Sequence, residues 1–208
     1  MTRISILDTK SANFHSVKKA VDLYEQDNII TSSKEEILRS EALIIPGVSS
    51  TDTVLNNIYN ANLEKIILEF YQSERPILCI CVGMQILFEK SEEGILPGLG
   101  LIEGEVKKIP SKDNKNKKYK IPHMGWNEID FSINSKLFDG IKSDSEFYFV
   151  HSYQCVPKDQ EIISGTTNYS NKIVASIEKN NLFAVQFHPE KSANLGLKIY
   201  KNFINLIN

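Results

Sequence analysis

The sequence predicts an α/β protein built on a mostly parallel, doubly wound sheet. Short apolar runs alternate with helical patterns over the first 80 residues, which is typical of parallel strands joined by crossover helices. The run at 77–81 is wholly apolar, as expected for a strand that is buried on both faces. After residue 119, short strand-like runs follow one another, and these indicate antiparallel strands added to the parallel sheet.

The first half of the chain supplies the alternation. Ser33 and Glu36 form a capping box that predicts a short helix to about residue 38, and a longer helical pattern covers 54–71. The first helix carries an apolar stripe at Val17, Ala20, Val21 and Tyr24. Apolar runs predict strands at 4–7, 28–31 and 42–45, ahead of the run at 77–81.

Three loops in this half follow predicted strands. They contain Asp8, Gly47 and Cys81. Because the carboxyl ends of parallel strands meet at one edge of a sheet, we expect these loops to converge on one crevice.

The second half is read as short strands and a final helix. The polar and basic run at 111–118 is interpreted as a solvated hairpin tip without a function. The last helix, at 193–207, has Leu195, Ile199, Phe203 and Leu206 on one face. Strands are predicted at 147–150, 162–163, 173–177 and 182–186.

Composition limits the class of protein. The 208 residues fit one domain, 1–208, and the net charge of -2 with 24% charged residues is typical of a soluble globular protein that binds neither nucleic acid nor membrane. Three cysteines form no disulfide framework, which favours a reducing compartment. No signal peptide is apparent, and no apolar run approaches the ~18 residues of a membrane span. We therefore expect a cytoplasmic protein.

Cys81 has the sequence context of a nucleophile. It ends the buried strand, and a helix predicted over 82–89 follows with almost no loop, which is the arrangement of a nucleophile elbow. The positive end of a helix favours a thiolate. A buried core cysteine is the alternative.

His188 and Glu190 could complete the chemistry as base and orienting carboxylate. Pro189 disfavours a helical conformation at His188, and residues two apart in an extended segment share a face. The alternative is a structural histidine at a strand end. His123 and His151 lack a nearby carboxylate in the sequence, and His15 is expected at the surface.

We expect no metal and no cofactor. The cysteines and the four histidines match no zinc spacing. The tetrahedral oxyanion formed by attack on a carbonyl instead needs backbone donors, for which the amide of Val82 and the loop at Gly47, Val48 and Ser49 are the candidates.

Five blocks, in this order along the chain, carry a resemblance. They are Pro46-Gly47-Val48, Cys81-Val82-Gly83-Met84-Gln85, Pro122-His123-Met124-Gly125-Trp126-Asn127, Val150-His151-Ser152-Tyr153 and Gln186-Phe187-His188-Pro189-Glu190-Lys191-Ser192. Together they resemble the class I, triad-type glutamine amidotransferases, and within that class the glutaminase subunits of imidazole glycerol phosphate synthase. The resemblance implies the class I amidotransferase fold over nearly the whole chain.

The resemblance also implies roles. Cys81 would attack the side-chain amide of glutamine to give a glutamyl thioester and ammonia, His188 would transfer the proton, and Glu190 would orient His188. Glutamine itself would be bound by Gln85, Glu93, Ser152 and Tyr153. Only the triad is also supported by the residues without the family.

A partner follows from the same resemblance. Free ammonia is mostly protonated in neutral water, so it must pass directly to another protein. In the family that protein is a (β/α)8-barrel cyclase subunit, in a heterodimer that keeps the glutaminase nearly silent until the partner binds its nucleotide. Asn13, His123 and Trp126 lie in blocks that, by resemblance, face the partner.

Three positions depart from the family pattern. Cys79 and Ser49 stand where glycines are usual, and the loop at 8–13 lacks the usual Tyr-Gly pattern. Alternative functions are a related glutaminase that supplies ammonia, with a barrel partner, to a sugar amidotransferase of surface polysaccharide synthesis, and a stand-alone cysteine hydrolase. A catalytically dead interaction module is disfavoured, since all three triad residues are present.

Overall fold

The computed structural model describes residues 3–10, 14–132 and 134–207. Its first half is the predicted alternation of strands and helices, which ends at a very short helix. The elements are β1 (Ile4–Leu7), α1 (Phe14–Asp22), β2 (Asn28–Thr31), α2 (Lys34–Arg39), β3 (Ala42–Gly47), α3 (Thr51–Asn60), α4 (Glu64–Gln72), β4 (Ile77–Cys81) and α5 (Val82–Gln85).

The second half contains nine strands and the final helix among the described residues. These are β5 (Phe88–Ser91), β6 (Ile102–Lys108), β7 (His123–Glu128), β8 (Asp130–Phe131), β9 (Glu146–His151), β10 (Tyr153–Pro157), β11 (Ile163–Asn168), β12 (Lys172–Lys179), β13 (Leu182–Val185) and α6 (Ala193–Ile204). A single 3-10 turn, Pro189–Lys191, connects β13 to α6.

The central sheet has eight strands within the described ranges, in the order β2-β1-β3-β4-β13-β12-β11-β8. The pairs from β2 to β13 are parallel, while β12, β11 and β8 are added in antiparallel fashion. The predicted fold class is therefore confirmed. In the strand order, the connection from β1 to β2 runs in one direction and the connection from β2 to β3 runs in the other. Right-handed crossovers therefore place α1 and α2 on opposite faces of the sheet. Accordingly, α1 contacts α6, whereas α2 contacts α4.

Two smaller sheets lie beside the central one, and the sequence pattern did not separate them from it. The strand predicted at 147–150 is β9, and it pairs with β7 in a two-stranded ribbon rather than joining the main sheet. β10, β6 and β5 form a three-stranded sheet. The run at 111–118 is a hairpin tip as predicted, closed by a bridge between Lys112 and Lys118.

The prediction of a helix over 82–89 is wrong for its second half. α5 ends at Gln85, and β5 begins at Phe88. The backbone of 86–88 instead bonds to the segment 98–102, since Ile86 and Phe88 accept from Leu99 and Gly100. Pairing with β6 therefore overrides the local helical propensity.

Two further boundaries differ from the prediction. The pattern at 54–71 forms two helices, α3 and α4, because the chain reverses at Asn62 with φ of 50°. Tyr24 lies beyond the end of α1 and is exposed, so it does not extend the buried stripe of that helix. In the described part of the chain, no helix has the length and apolar character needed to cross a bilayer.

Candidate active site

Cys81 lies at the tip of a strained turn between β4 and α5. Its φ of 55° and ψ of -109° are rarely adopted by residues with a side chain, and strain of this kind is concentrated at functional positions. The turn depends on glycine, because a Cβ on Gly83 would lie 2.0 Å from the carbonyl oxygen of Ile45. The chain therefore holds the predicted nucleophile elbow, against the end of β3.

His188 and Glu190 meet as the sequence suggested, although the reason is different. His188 is extended, with φ of -102° and ψ of 97°, but Glu190 lies in the 3-10 turn rather than in an extended segment. The Nδ1 of His188 is 2.8 Å from the Oε1 of Glu190, and both side chains are 2% exposed. This bond orients the ring so that the Nε2 is left for Cys81.

The electrostatics favour a charged His188. Burial lowers its pKa, but the negative charge of Cys81, a hydrogen bond to Cys81 and the carboxylate of Glu190 together raise that pKa above its usual value. A charged imidazole beside the sulfur can serve as the acid that protonates a leaving group.

Strand β9 fixes the backbone of His188. The amide of His188 donates to the carbonyl of Tyr148 at 2.9 Å, and the amide of Tyr148 donates to the hydroxyl of Ser192 at 2.9 Å. That hydroxyl donates in turn to the carbonyl of His188 at 2.7 Å. The histidine is thus held by the same strand that forms the β7–β9 ribbon.

Gln186 is a site residue that the sequence reasoning missed. Its fully buried amide Nε2 lies 3.6 Å from the Sγ of Cys81. The orientation of that amide is fixed by Gln85, whose Nε2 donates to the Oε1 of Gln186 at 3.0 Å and to the carbonyl of Tyr153 at 3.3 Å. A donor directed at the sulfur stabilises a thiolate. Its position two residues before His188, at the end of β13, is the signal that could have revealed it.

A cavity of about 430 Å³ opens beside Cys81, within the size range of small-molecule sites. It brings together most of the residues predicted to act on glutamine. Gly47 does not line it but packs beneath the elbow, where its Cβ would be 2.9 Å from the Cβ of Val82. The predicted residues that line the cavity are Val48, Ser49, Cys81, Val82, Gln85, Glu93, Ser152, Tyr153 and His188.

The loop that carries Glu93 is anchored to the start of α3. The Oε2 of Glu93 accepts from the amide of Thr51 at 2.7 Å. Asp52 accepts from the amides of Ile95 and Leu96 at 3.0 to 3.2 Å. Glu93 is therefore held at the wall of the cavity with one carboxylate oxygen already bonded.

Two of the departures from the family pattern can be located. Cys79 is fully buried in β4, opposite Ala184 on the neighbouring strand, and burial raises the pKa of its thiol. Ser49 lines the cavity, and its hydroxyl is buried with no hydrogen-bond partner among the described residues. The first departure therefore lies within the sheet, and the second adds a donor to the wall of the cavity.

Of the remaining histidines, His151 also lines the cavity beside Cys81. His123 and His151 are buried and contact each other through Nδ1 and Nε2 at 3.0 Å, and burial lowers the pKa of His151 to about 3. His15 is exposed, as predicted. In the ranges 3–10, 14–132 and 134–207, no cluster of metal-ligating side chains is found.

The predicted partner residues have different positions. His123 is 1% exposed, so the expectation that its side chain meets a partner is corrected: the ring stacks on Phe149 and Tyr169 inside the protein. Trp126, three residues on along β7, is 47% exposed. Asn13 lies outside the described residues.

We expect Glu190→Gln to lower glutamine hydrolysis about 100-fold, in the range of general acid and base catalysis. It should also move the alkaline limb of the pH profile to lower pH. The charge of Glu190 helps to raise the pKa of His188, so without it the imidazolium loses its proton at lower pH. Rates measured from pH 5 to pH 10 test this, with the exposed Glu103→Gln as control. An unshifted alkaline limb would contradict the assignment.

The site combines a cysteine at a nucleophile elbow with a buried histidine and a glutamate, at the carboxyl ends of a parallel sheet. A family match assigns this arrangement to the glutamine amidotransferases. The family model "Glutamine amidotransferase class-I" matches residues 6–206. Solved structures with 16–17% identity support the same fold, among them PurLQS from Thermotoga maritima (TM-score 0.71, covering 99% of this chain and 99% of that chain). The glutaminase domain of Trypanosoma brucei CTPS gives a TM-score of 0.71 over 100% of this chain and 94% of its own.

Curated relatives narrow the class. The chain is 46% identical over 206 residues to imidazole glycerol phosphate synthase subunit HisH of Methanocaldococcus jannaschii, covering 98% of this chain and 100% of the relative. It is 43% identical over 209 residues to the subunit of the same name from Pelagibacter ubique, covering 98% and 99%. The chain belongs to the HisH family within the class I glutamine amidotransferases.

Proposed function

We propose that this chain is the glutaminase subunit of an imidazole glycerol phosphate synthase and consists of one amidotransferase domain. It hydrolyses glutamine to glutamate and ammonia, and passes the ammonia to a (β/α)8-barrel cyclase subunit in a cytoplasmic heterodimer. That subunit makes imidazole glycerol phosphate and aminoimidazole carboxamide ribonucleotide in histidine biosynthesis. The observation that carries the proposal is the 46% identity to a HisH subunit over nearly the whole chain, together with the intact triad.

The chemistry follows from the triad. The thiolate of Cys81 attacks the carboxamide carbon of glutamine, and the carbonyl oxygen becomes an oxyanion that accepts from the amide of Val82 and from the loop at Gly47, Val48 and Ser49. His188 gives its proton to the departing nitrogen, which leaves as ammonia. Water then attacks the thioester while His188 takes up a proton, and glutamate and the thiolate are released.

Glutamine binding is assigned to the polar wall of the cavity. The side-chain amide of Gln85 donates to Gln186 and to Tyr153, so its carbonyl oxygen is the group left to accept a hydrogen bond from the substrate. One oxygen of Glu93 is bonded to Thr51, and the other is available to the α-amino group. Ser152 and Tyr153 line the same cavity.

The β7–β9 ribbon offers a face for the partner. Met124 and Trp126 are 61% and 47% exposed, an unusual pair of large apolar side chains on one short strand. Pro122, immediately before β7, lines the cavity, so this face adjoins the site where ammonia is released. A partner seated there would receive ammonia directly. Asn13 is proposed for the same interface by resemblance alone.

The test is glutamate release from glutamine by this chain mixed with the barrel subunit from the same cell, with and without its phosphoribulosyl nucleotide. We expect slow hydrolysis by the isolated chain and strong stimulation by the nucleotide. Trp126→Ala should weaken the complex at least about tenfold, since exposed tryptophans at interfaces are frequent hot spots, while Leu68→Ala, an exposed residue on α4, should not.

Either of two other results would count against this function. Rapid hydrolysis by the chain alone would indicate a stand-alone cysteine hydrolase. Absence of stimulation in an intact complex would point to another ammonia acceptor, such as a sugar amidotransferase of surface polysaccharide synthesis; the curated relatives do not favour this alternative.

A further inference from the structure

Glu190 has one carboxylate oxygen unaccounted for. Its Oε1 bonds His188, but its Oε2 is buried and has no hydrogen-bond partner in the part of the chain that the structure describes. A buried carboxylate needs hydrogen-bond donors, and an oxygen left without one is destabilising. We therefore expect a hydrogen-bond donor close to the Oε2 of Glu190.

Tyr200 has a hydrogen-bond donor that lacks an acceptor in the described part of the chain. It is fully buried in α6, and its hydroxyl likewise lacks a hydrogen-bond partner within the described residues. Buried tyrosines ordinarily satisfy the hydroxyl, because the ring is apolar and the hydroxyl is not. The assigned steps of glutamine hydrolysis make no use of Tyr200.

The fold brings these two groups together. Helix α6 begins two residues after the 3-10 turn that carries Glu190 and approaches it so closely that a Cβ on Gly196 would lie 1.9 Å from the carbonyl oxygen of Pro189. Tyr200 follows Gly196 by four residues and therefore lies on the same face of the helix. Burial, and then the negative charge of Glu190, raise the pKa of Tyr200, which keeps the phenol protonated as a donor.

We propose that Tyr200 is a positioning residue that donates its hydroxyl hydrogen to the Oε2 of Glu190. The carboxylate is then held from both sides, by Tyr200 on Oε2 and by His188 on Oε1. The result is a chain of hydrogen bonds that begins in α6 and ends at the nucleophile, through Tyr200, Glu190, His188 and Cys81. This role rests on the proposed glutaminase function but concerns the ion pair of Cys81 and His188 rather than the fate of the ammonia.

The direct test is Tyr200→Phe, which keeps the ring and removes only the donor. Without it, the carboxylate of Glu190 is held only by its bond to His188, so it orients the ring less firmly and stabilises the imidazolium less well. The midpoint of Cys81 alkylation should then move to higher pH by about 0.5 to 1 unit, in keeping with the net value of a typical intramolecular hydrogen bond. Alkylation of Cys81 by iodoacetamide, followed by mass spectrometry across pH 5 to 10, measures this without glutamine or a partner.

A double-mutant cycle separates positioning from packing. Added to Glu190→Gln, the Tyr200→Phe change should produce no further shift of the alkylation midpoint, because its effect passes through the carboxylate. Tyr71→Phe, on the separate helix α4, is the matched control and should leave the midpoint where it is. A wild-type midpoint in Tyr200→Phe, or shifts that add in the double variant, would overturn the proposal.

Steady-state kinetics give a second readout in the complex. Tyr200→Phe should lower kcat for glutamine about 3- to 10-fold with KM changed less than about twofold, since the hydroxyl touches no substrate. Equal losses in ammonia-dependent turnover would instead indicate a structural defect and contradict the role. If the wild-type complex hydrolyses no glutamine at all, the proposed function fails, while the alkylation profile still decides the role of Tyr200.

Discussion

Cys81→Ala should abolish glutamine hydrolysis by the chain, with a loss of at least about 10³-fold, because no other group can form the thioester. Turnover of the full complex supplied with ammonium salts should remain, since the nucleophile acts only to release ammonia. The other buried thiols cannot replace it: burial raises the pKa of Cys155 and of Cys79, so both remain thiols. Glutamate production and ammonia-dependent product formation, measured in the same preparation, test both halves of this expectation.

Cys155→Ala is the control for the loss of a buried cysteine. It should retain glutamine hydrolysis within about threefold. If Cys81→Ala lost the ammonia-dependent reaction as well, the cysteine would be serving the fold or the interface rather than the chemistry.

Gly83→Ala should have the second largest effect. A Cβ at this position would lie 2.0 Å from the carbonyl oxygen of Ile45, and backbone atoms on β3 cannot yield as a flexible side chain would. Overpacking of this kind costs roughly 1–3 kcal/mol, which lowers Tm by about 3–10 °C in a protein of this size. Because the clash lies directly beneath the elbow, glutamine hydrolysis should fall about 100-fold or more.

Gly100→Ala distinguishes this clash from a general intolerance of alanine. A Cβ on Gly100 would meet nothing within 4 Å, so only the cost of its φ of 65° remains, about 1 kcal/mol. Gly83→Ala should therefore show a lower Tm and a lower glutaminase rate than Gly100→Ala. Equal activity in both would show that β3 can move away from the elbow without harm to the site.

The parallel half of the fold could be predicted because its signals are local. Strands β1, β2 and β4 were bounded correctly, since each is a short apolar run between polar or turn residues. Strands β6, β7 and β10 were missed, because Gly104, His123 and Gln154 occupy buried positions in them and break the apolar and polar alternation of the sequence. β5 was read as helix, because its pairing with β6 cannot be seen in the sequence.

The site residues likewise fall into those that the sequence could predict and those that it could not. Cys81, His188 and Glu190 could be proposed because each sits within a short motif whose geometry is nearly fixed by proline or glycine. Gln186 and Tyr200 could not, since the importance of Gln186 depends on a contact made across 105 residues, and that of Tyr200 on how α6 packs against the 3-10 turn. His123 was misplaced for a related reason: alternate residues of β7 face opposite sides, and the register that turns His123 inward is set by β9.

The ribbon of β7 and β9 connects an outer surface to His188 through hydrogen bonds. Trp126 stands opposite Tyr148 in the ribbon, and the amide and carbonyl of Tyr148 are bonded to Ser192 and His188. We therefore expect a molecule that binds at Trp126 to shift the backbone of His188 through Tyr148, so that occupancy of the ribbon surface and the position of the imidazole ring are linked.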